Sequence, residues 1–340
     1  MAEATKSEEI SKPYQTVGII GAGAWGTALA LVAARAGRSV ILWSRETEVA
    51  TSIRIVRENA AFLPGVPLPS AIEASTDLAS AAAAEAILLA TPAQHVRAVL
   101  EPLAQHLAPG TPLVVCAKGI ERGTGKLLSE VLGECAPLAE PALLSGPSFA
   151  RDVARDLPIA VTIAAKKDVA FRLLATLGHA GFRPYASEDL LGVALGGAAK
   201  NVYAIGCGIV AGMGLGENAR AALLTRSFAE LMRLGQALGA KNETLMGLSG
   251  LGDLVLTATS LSSRNYSFGF HLGEGRKREE LSAPGRPLVE GIETAAALVT
   301  RAKQRNIELP VAEAIADILS GSLSLDAATP RLMTRPFKSE

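Results

Sequence analysis

The chain has 340 residues, 49% of them hydrophobic, and its 33 Lys and Arg residues balance 33 Asp and Glu residues. This length suffices for two domains with buried cores, and the zero formal charge excludes proteins that hold nucleic acid or an anionic membrane through a basic surface. Three widely spaced cysteines favour neither a disulfide framework nor a zinc site, and they fit a reducing cytoplasm.

The N-terminal stretch contains acidic residues and no apolar core, so it is neither a secretory signal nor an Arg-rich transit peptide. We predict a disordered leader over residues 1–14. We expect a cytoplasmic protein whose partners are small molecules and a second copy of itself, with no nucleic acid and no membrane span.

A strand, a glycine turn and an alanine-rich helix are predicted from Thr16 onward by the stretch TVGIIGAGAWGTALALVAARAG. The turn carries G-x-G-x-x-G at Gly21, Gly23 and Gly26. The first glycine permits the tight turn, the second lets a pyrophosphate approach the backbone, and the third lets the helix pack on the strand. The motif alone is weak, but between a strand and a helix near the N-terminus it predicts a dinucleotide site.

The second strand, SVILW, ends where the adenosine ribose of a bound dinucleotide would lie. An acidic residue there binds the 2′-hydroxyl of NAD, whereas an arginine accepts the 2′-phosphate of NADP. The chain offers Ser44, Arg45 and then Glu46. We therefore predict NADP or NAD as the cofactor, with Arg45 favouring NADPH and Glu46 leaving dual use open.

Strands and helices continue to alternate up to about residue 187. Predicted strands cover 86–92, 112–119, 142–146 and 159–165, and a predicted helix covers 93–106. This alternation is typical of a parallel sheet covered on both faces, with ligands beyond the carboxyl ends of its strands. We predict an α/β fold with an N-terminal Rossmann-type doubly wound parallel sheet over residues 15–190. Lys118 and the turn 146–150 lie at such strand ends.

The pattern then becomes helical, and we predict an all-helical C-terminal domain over residues 191–340. Its first stretch, 192–216, consists almost wholly of small and apolar residues around Lys200 and Asn201. Desolvation of the Lys200 ammonium should lower its pKa and make it a usable acid or base. The alternatives are a lysine that extends its charge to solvent and a membrane span, which the central charge and the charged residues from Glu217 disfavour.

Two polar clusters interrupt the helical domain. GLSGLGDLVLT places Asp253 among apolar residues, where it needs a cationic partner such as Lys200. SSRNYSFG gathers Ser263, Arg264 and Asn265, and the arginine fork suits a phosphate. Each has a structural alternative, a helix cap for Asp253 and a carboxylate partner for Arg264. The four histidines show neither triad nor metal spacing, and no metal site is predicted.

With these motifs the sequence resembles the bacterial NAD(P)-dependent glycerol-3-phosphate dehydrogenase family. The resemblance covers almost the whole chain beyond the leader, and the 195–226 stretch is far more specific than the glycine turn. The matching stretches are GAGAWGTALA, CAKGIE, SGPSFA, LGGAAKNVYAIGCGIVAGMGLGENARAALLTR, GLSGLGDLVLT, SSRNYSFG and LVEGIET.

The resemblance implies reversible hydride transfer between NAD(P)H and dihydroxyacetone phosphate, giving sn-glycerol 3-phosphate for phospholipid synthesis. It also implies a homodimer. It implies Lys200 as the general base, with Lys118 and Asp253 as further catalytic residues. The implied cofactor ligands are Gly21, Gly23, Ala24, Trp25, Gly26, Arg45, Lys118, Ala150, Arg264, Leu288 and Glu290. The implied substrate ligands are Lys118, Gly146, Ser148, Lys200, Asn201, Asp253, Ser263, Arg264 and Asn265.

Two positions depart from the family pattern. Ala24 stands where the family often has serine, so a hydroxyl contact is lost while the backbone N–H remains. Glu46 stands where the family commonly has a second basic residue, which bears on NADP preference and not on the reaction. Two other functions stay open: a dehydrogenase of a different hydroxy acid with a lysine base, and a nucleotide-binding redox sensor without catalysis.

Overall fold

The computed structural model describes residues 12–283 and 285–333, and the first eleven residues of the predicted leader lie outside the described residues. The last part of that leader is packed. Tyr14 is buried, its N–H donates to the Thr176 hydroxyl at 3.0 Å, and the Arg172 guanidinium lies 3.7 Å from its ring centroid. Residue 14 of the predicted leader is therefore held against residues 172 and 176.

Within the described residues the chain forms eight strands and sixteen α-helices. The strands are β1 Thr16–Ile20, β2 Ser39–Trp43, β3 Ile72–Ser75, β4 Ala86–Leu89, β5 Pro112–Val115, β6 Glu140–Ser145, β7 Ile159–Ala164 and β8 Phe182–Ser187. The helices of the first domain are α1 Ala24–Arg35, α2 Thr47–Ile55, α3 Leu78–Ala82, α4 Val96–Ala104, α5 Leu128–Cys135, α6 Ala150–Ala154 and α7 Lys167–Leu177. Those that follow are α8 Leu190–Gly212, α9 Glu217–Leu238, α10 Asn242–Met246, α11 Asp253–Ala258, α12 Arg264–Gly273, α13 Arg278–Leu281, α14 Glu290–Lys303, α15 Pro310–Ser320 and α16 Leu325–Met333.

All eight strands form one sheet in the order β3-β2-β1-β4-β5-β6-β7-β8. Every pairing is parallel except that of β6 with β7, so the predicted all-parallel sheet is corrected at this one pairing. The connection between β6 and β7 holds the five-residue α6, a short route that returns the chain in the opposite direction. The doubly wound α/β architecture is otherwise confirmed.

Two strands, β3 and β8, were not predicted from the sequence, and both lie at the edges of the sheet. The four residues of β3 include the exposed Glu73, and β8 buries Phe182 while leaving most of its other side chains half-buried or exposed. Pro184 within β8 also argues against a strand, because proline cannot donate to a sheet ladder. Edge strands tolerate such residues, and tertiary pairing decided the structure here.

Helix α8 is the core of the helical domain. It is long and apolar enough to cross a membrane by composition, but 89% of its most apolar window is buried inside the fold. Lys200 and Asn201 are buried within it together with the apolar residues on every side. A helix that is apolar all round is typical of the centre of a large domain as well as of a membrane, and the packing identifies the first case here.

The backbones of helices α8 and α12 are in contact where the helices cross, because glycines of each helix face the other helix. An alanine at 208 or 212 would collide with the carbonyl oxygen of Tyr266 or Phe270, and alanines at 269 and 273 would collide with α8 in the same way. These glycines recur every fourth residue on both helices, which places them on one face of each helix. The close crossing holds the start of α12 against the middle of α8.

Gly208→Ala tests this crossing. The added methyl should force the helices apart and lower the free energy of unfolding by about 1 to 3 kcal/mol, as overpacking does. Urea denaturation measures the change. Gly133→Ala is the matched control, since its Cβ would meet no atom within 4 Å and a helical Gly→Ala change should be neutral or stabilising. Equal free energies of unfolding for the two variants would contradict a close backbone contact between α8 and α12 at Gly208.

Candidate active site

The carboxyl ends of neighbouring strands bring most of the predicted site residues to one edge of the sheet. Gly21 follows β1, Arg45 follows β2, Lys118 follows β5 and Gly146 follows β6. The strand order reverses between β1 and β4, which is where open α/β sheets bind their ligands. Arg45 and Lys118 are separated by three strand spacings, roughly 14 Å. A ligand that reaches both must therefore be long, as a dinucleotide is.

The glycine turn has the geometry that a bound pyrophosphate needs. Gly21 has φ +113°, and an alanine at 26 would collide with the Gly21 carbonyl oxygen. A Cβ on Gly23, in contrast, would meet no atom within 4 Å. Among the described residues no side chain caps α1, whose first two residues are Ala24 and Trp25. Open space beside uncapped backbone N–H groups at a helix N-terminus fits an anionic dinucleotide phosphate.

The two residues after Ser44 form an ion pair. The Arg45 guanidinium donates to Glu46 Oε1 through Nε at 3.1 Å and Nη2 at 2.8 Å, and the Arg45 side chain is 77% exposed. The buried Ser44 hydroxyl donates to the Glu46 carbonyl oxygen at 3.1 Å. A 2′-phosphate at this position would compete with Glu46 for Arg45. Residue type and spacing do not predict this pairing of Arg45 with Glu46.

Asp253 joins two lysines from different parts of the chain. Lys200 Nζ on α8 donates to Asp253 Oδ1 at 2.5 Å, and Lys118 Nζ donates to Asp253 Oδ2 at 2.6 Å. Lys118 also donates to the Gly146 carbonyl oxygen at 3.0 Å. The Asp253 side chain is 1% exposed and that of Lys200 is 9% exposed. The predicted contact between Lys200 and Asp253 is therefore present, and Lys118 is a second partner of the same carboxylate.

This sharing shifts the ionisation of the cluster. Burial lowers the pKa of Lys200 to about 7, the Lys118 charge adds to the lowering, and Asp253 opposes it. Burial alone would raise the pKa of Asp253, but Lys118 and Lys200 together lower it. The predicted lowering of the Lys200 pKa is confirmed. Lys200 can thus hold or release a proton near neutral pH while Asp253 stays ionised.

A chain of amides ties the lysine cluster to the helical domain. Asn201 Nδ2 donates to the Lys118 carbonyl oxygen at 3.2 Å, and Asn265 Nδ2 donates to Asn201 Oδ1 at 2.9 Å. Asn265 Oδ1 in turn accepts from the Gly291 N–H at 2.9 Å. The two asparagines therefore connect the end of β5 to α8, α12 and the first turn of α14. Each keeps one amide N–H in addition to these bonds.

The remaining predicted ligands lie at helix starts around the cluster. The Ser263 hydroxyl caps α12 by accepting from the Tyr266 N–H at 3.2 Å, and Arg264 begins that helix with an exposed side chain. Ser148 Oγ donates to the Gly146 carbonyl oxygen at 3.0 Å, and Ala150 begins α6. Leu288 is 46% exposed.

Glu290, the first residue of α14, links the helical domain to the loop after β4. Its Oε1 accepts from the Ala93 N–H at 3.1 Å. Burial raises the pKa of Glu290, and the Ala93 N–H and the positive charge of Arg264 oppose that rise. Arg264 and Glu290 therefore act on the same region, between α12 and α14.

One member of the site was missed by sequence reasoning. Lys200 Nζ also donates to the Thr257 hydroxyl at 3.0 Å, and Thr257 lies 3.3 Å from Asp253 Oδ1. Thr257 stands four residues after Asp253 on α11, so the two share one face of that helix. That spacing was a usable signal in the sequence. In residues 12–283 and 285–333, no group of three His, Cys, Asp or Glu side chains could hold a metal ion.

Comparison with known proteins identifies the family. The model of the NAD-dependent glycerol-3-phosphate dehydrogenase N-terminus matches residues 16–170, and that of the C-terminus matches residues 189–330. The chain belongs to this family. Glycerol-3-phosphate dehydrogenase [NAD(P)+] of Parvibaculum lavamentivorans is 55% identical over 96% of this chain and 98% of its own, and that of a Bradyrhizobium species is 56% identical over 97% and 100%. The crystal structure of glycerol-3-phosphate dehydrogenase from Coxiella burnetii is 37% identical with TM-score 0.90, over 95% of this chain and 99% of that one.

Membership of the family confirms three expectations of the sequence analysis. The resemblance itself is confirmed, and so is an oxidoreductase that uses NAD or NADP. The architecture, a Rossmann domain followed by a helical domain, agrees with the Coxiella structure over nearly its full length.

Asp253→Asn tests the charge balance of the cluster. Loss of the carboxylate leaves two ammonium groups without their counter-charge and should lower the free energy of unfolding by about 3 kcal/mol at pH 6. The loss should be smaller at pH 9, since Lys200, with a pKa of about 7, is then neutral. Urea denaturation at both pH values measures this. Thr257→Val, which removes a neutral partner, is the control and should show no such pH difference. Equal losses for Asp253→Asn at both pH values would contradict the account.

Proposed function

We propose that the chain catalyses reversible hydride transfer between NAD(P)H and dihydroxyacetone phosphate, giving sn-glycerol 3-phosphate. The observation that carries the proposal is the Asp253 carboxylate shared by Lys200 and Lys118, at the sheet edge that also holds the glycine turn. Family membership supports the choice of substrate.

Lys200 moves the proton in this proposal. When bound, the nicotinamide dinucleotide supplies the hydride for ketone reduction and accepts it in alcohol oxidation. The Lys200 ammonium donates a proton to the oxygen on C2 during reduction, and the neutral amine removes it during oxidation. A pKa of about 7 populates both forms near neutral pH, which suits a reversible reaction.

Asp253 and Thr257 orient the Lys200 amine. An ammonium group has three N–H donors, and these two partners take two of them. One donor is left for the substrate oxygen. Lys118 uses one N–H for Asp253 and one for Gly146, and we propose that its third N–H polarises the same oxygen.

We propose that Arg264 binds the substrate phosphate through its planar guanidinium, with Ser263 and Asn265 beside it. The Ser263 oxygen accepts a backbone N–H, so its own O–H proton remains a donor. Asn265 retains its second amide N–H. Gly146, Ser148 and Asn201 complete the proposed substrate site, and phosphate binding would use remote contacts to place C2 for transfer.

On the cofactor side, we propose that the α1 N-terminus, with Ala24 and Trp25, holds the pyrophosphate. Arg45 would take a 2′-phosphate, while Ala150, Leu288 and Glu290 complete the site. The family resemblance supports three further parts of the proposal: glycerol 3-phosphate formation as the physiological direction, supply of that product to phospholipid synthesis in the cytoplasm, and assembly as a homodimer.

Lys200→Met tests the proton-transfer role directly. The change keeps the unbranched side chain up to Cε and removes the amine, so turnover of dihydroxyacetone phosphate should fall by roughly 100-fold to 10,000-fold, the usual contribution of a general acid–base group. Oxidation of NADPH and NADH is followed by absorbance, and NADPH binding by calorimetry shows that the variant is folded. Lys241→Met, at an exposed lysine, is the matched control. Near-normal kcat in Lys200→Met would remove Lys200 from the reaction.

Glu46→Gln tests the competition for Arg45. Removal of the carboxylate charge frees Arg45 and ends repulsion of a 2′-phosphate, so the ratio of kcat/KM for NADPH to that for NADH should rise by roughly 10-fold, equivalent to one ion contact. Arg45→Met should lower the same ratio. Glu48→Gln, at an exposed glutamate on α2, is the control. If the ratio is unchanged in both Glu46→Gln and Arg45→Met, neither residue determines the choice between NADPH and NADH.

A further inference from the structure

The connection between α2 and β3 contains a loop, residues 57–68, whose two ends are paired with each other. Glu58 and Pro67 form an antiparallel bridge, and the Leu68 N–H donates to the Arg57 carbonyl oxygen at 2.8 Å. Arg57 has φ +58°, and its guanidinium donates to the Leu68 and Ile72 carbonyl oxygens at 3.1 and 2.9 Å. The loop is therefore a fixed unit whose position depends on what its buried side chains contact.

One of these side chains, Asn59, contacts the glycine turn. Asn59 is 1% exposed, and its Nδ2 donates to the Ala22 carbonyl oxygen at 2.8 Å and to the Thr27 hydroxyl at 2.8 Å. Its Oδ1 accepts from the Phe62 N–H at 3.2 Å. A carbonyl oxygen can only accept and a backbone N–H can only donate, so these partners fix which end of the amide faces which way.

The contact with Ala22 sets the plane of one peptide bond in the turn. The described chain contains no cis peptide bond, so the Ala22 carbonyl and the Gly23 N–H point in opposite directions. Asn59 holds the carbonyl toward the loop, and the Gly23 N–H therefore points away from the loop. The second contact, with Thr27, holds the first turn of α1, where the Thr27 N–H donates to the Gly23 carbonyl oxygen at 2.9 Å.

Asn59 thus holds the turn from its carbonyl side, opposite to the direction of the Gly23 N–H. Gly23 has open space where a side chain would stand, and among the described residues no side chain caps α1. A pyrophosphate binds by backbone N–H groups held in a fixed direction, and that direction is what Asn59 sets.

We propose that Asn59 is a positioning residue for the dinucleotide: it orients the Ala22–Gly23 peptide so that the glycine turn is ready to bind a pyrophosphate. The inference rests on the dinucleotide part of the proposed function and not on the substrate. Loss of Asn59 should therefore weaken binding of any ligand that contains a pyrophosphate and leave the chemical step at saturating cofactor almost unchanged.

The test uses Asn59→Leu, which keeps the branching of the side chain at Cγ and removes the donor, and Asn59→Asp, which keeps the shape and places an oxygen against the Ala22 carbonyl. Calorimetry of the full chain gives the dissociation constants of NADPH and ADP-ribose. We expect both to rise by roughly 10-fold or more, about the effect of losing two neutral hydrogen bonds. The kcat at saturating NADPH and the KM for dihydroxyacetone phosphate should stay within about 3-fold, allowing for modest repacking.

Glu58→Ala is the matched control. Glu58 Oε1 accepts from the Gly65 N–H at 2.8 Å, so the change loosens the same loop without touching the glycine turn. Its ADP-ribose affinity should equal that of the unaltered chain, while its melting temperature falls. The unaltered chain must bind ADP-ribose; if it does not, the dinucleotide assignment itself fails and the role of Asn59 falls with it.

Folded Asn59 variants with unchanged ADP-ribose affinity would overturn the proposal and leave Asn59 a purely structural residue. Failure of both Asn59 variants to fold would overturn it as well, because Asn59 would then serve the folding of the domain. An equal loss of affinity in Glu58→Ala would assign the effect to the loop as a whole and not to the Asn59 amide.

Discussion

The buried carboxylate of Asp253 faces two lysine side chains, and the active site depends on this unequal sharing of charge. Burial lowers the pKa of Lys200, and the positive charge of Lys118 lowers it further because one carboxylate does not fully compensate two positive charges in a site with little solvent. The result is a carboxylate that stays ionised and an amine with a pKa of about 7. Three separate parts of the chain must meet to create it: the end of β5, the middle of α8 and the start of α11.

The glycines of α8 make that meeting possible. An added Cβ at 196 would lie 2.6 Å from the Ser249 carbonyl oxygen, and one at 197 would lie 2.9 Å from the Ser145 hydroxyl and 3.4 Å from the Lys118 side chain. Six glycines within one helix cost about 6 kcal/mol in helix propensity. Burial of the helix on all sides offsets that cost, since tertiary packing and not propensity stabilises most protein helices. The absence of side chains at these positions is therefore part of the site.

Much of this could be predicted from the sequence because the signals are local. The G-x-G-x-x-G turn, the alternation of strands and helices and the buried Lys200 each follow from residue type and spacing. Tertiary contacts, which a local sequence pattern does not contain, determine the rest of the fold. They set the antiparallel direction of β7, the pairing of the edge strands β3 and β8, and the packing of Tyr14. The same holds within the site. The Lys200–Asp253 contact was predicted. Three other contacts were not: Lys118 with Asp253, Arg45 with Glu46, and Asn59 with Ala22. They join groups that are distant in the sequence or that have competing partners, so only the fold shows them.

The central claim is that the charge of Lys118 helps to set the pKa of Lys200. The most direct measurement is the pH dependence of kcat/KM for glycerol 3-phosphate oxidation in the unaltered chain and in Lys118→Met. The substrate ionises identically in both assays, so a difference in the pH profile belongs to the protein. In the unaltered chain we expect kcat/KM to rise with pH through about 7, because oxidation needs the neutral amine of Lys200. In Lys118→Met we expect the same rise at higher pH. Removal of a neighbouring positive charge raises the pKa of Lys200, so that Lys200 keeps its proton to a higher pH. A displacement to lower pH, or an unchanged profile, would contradict it.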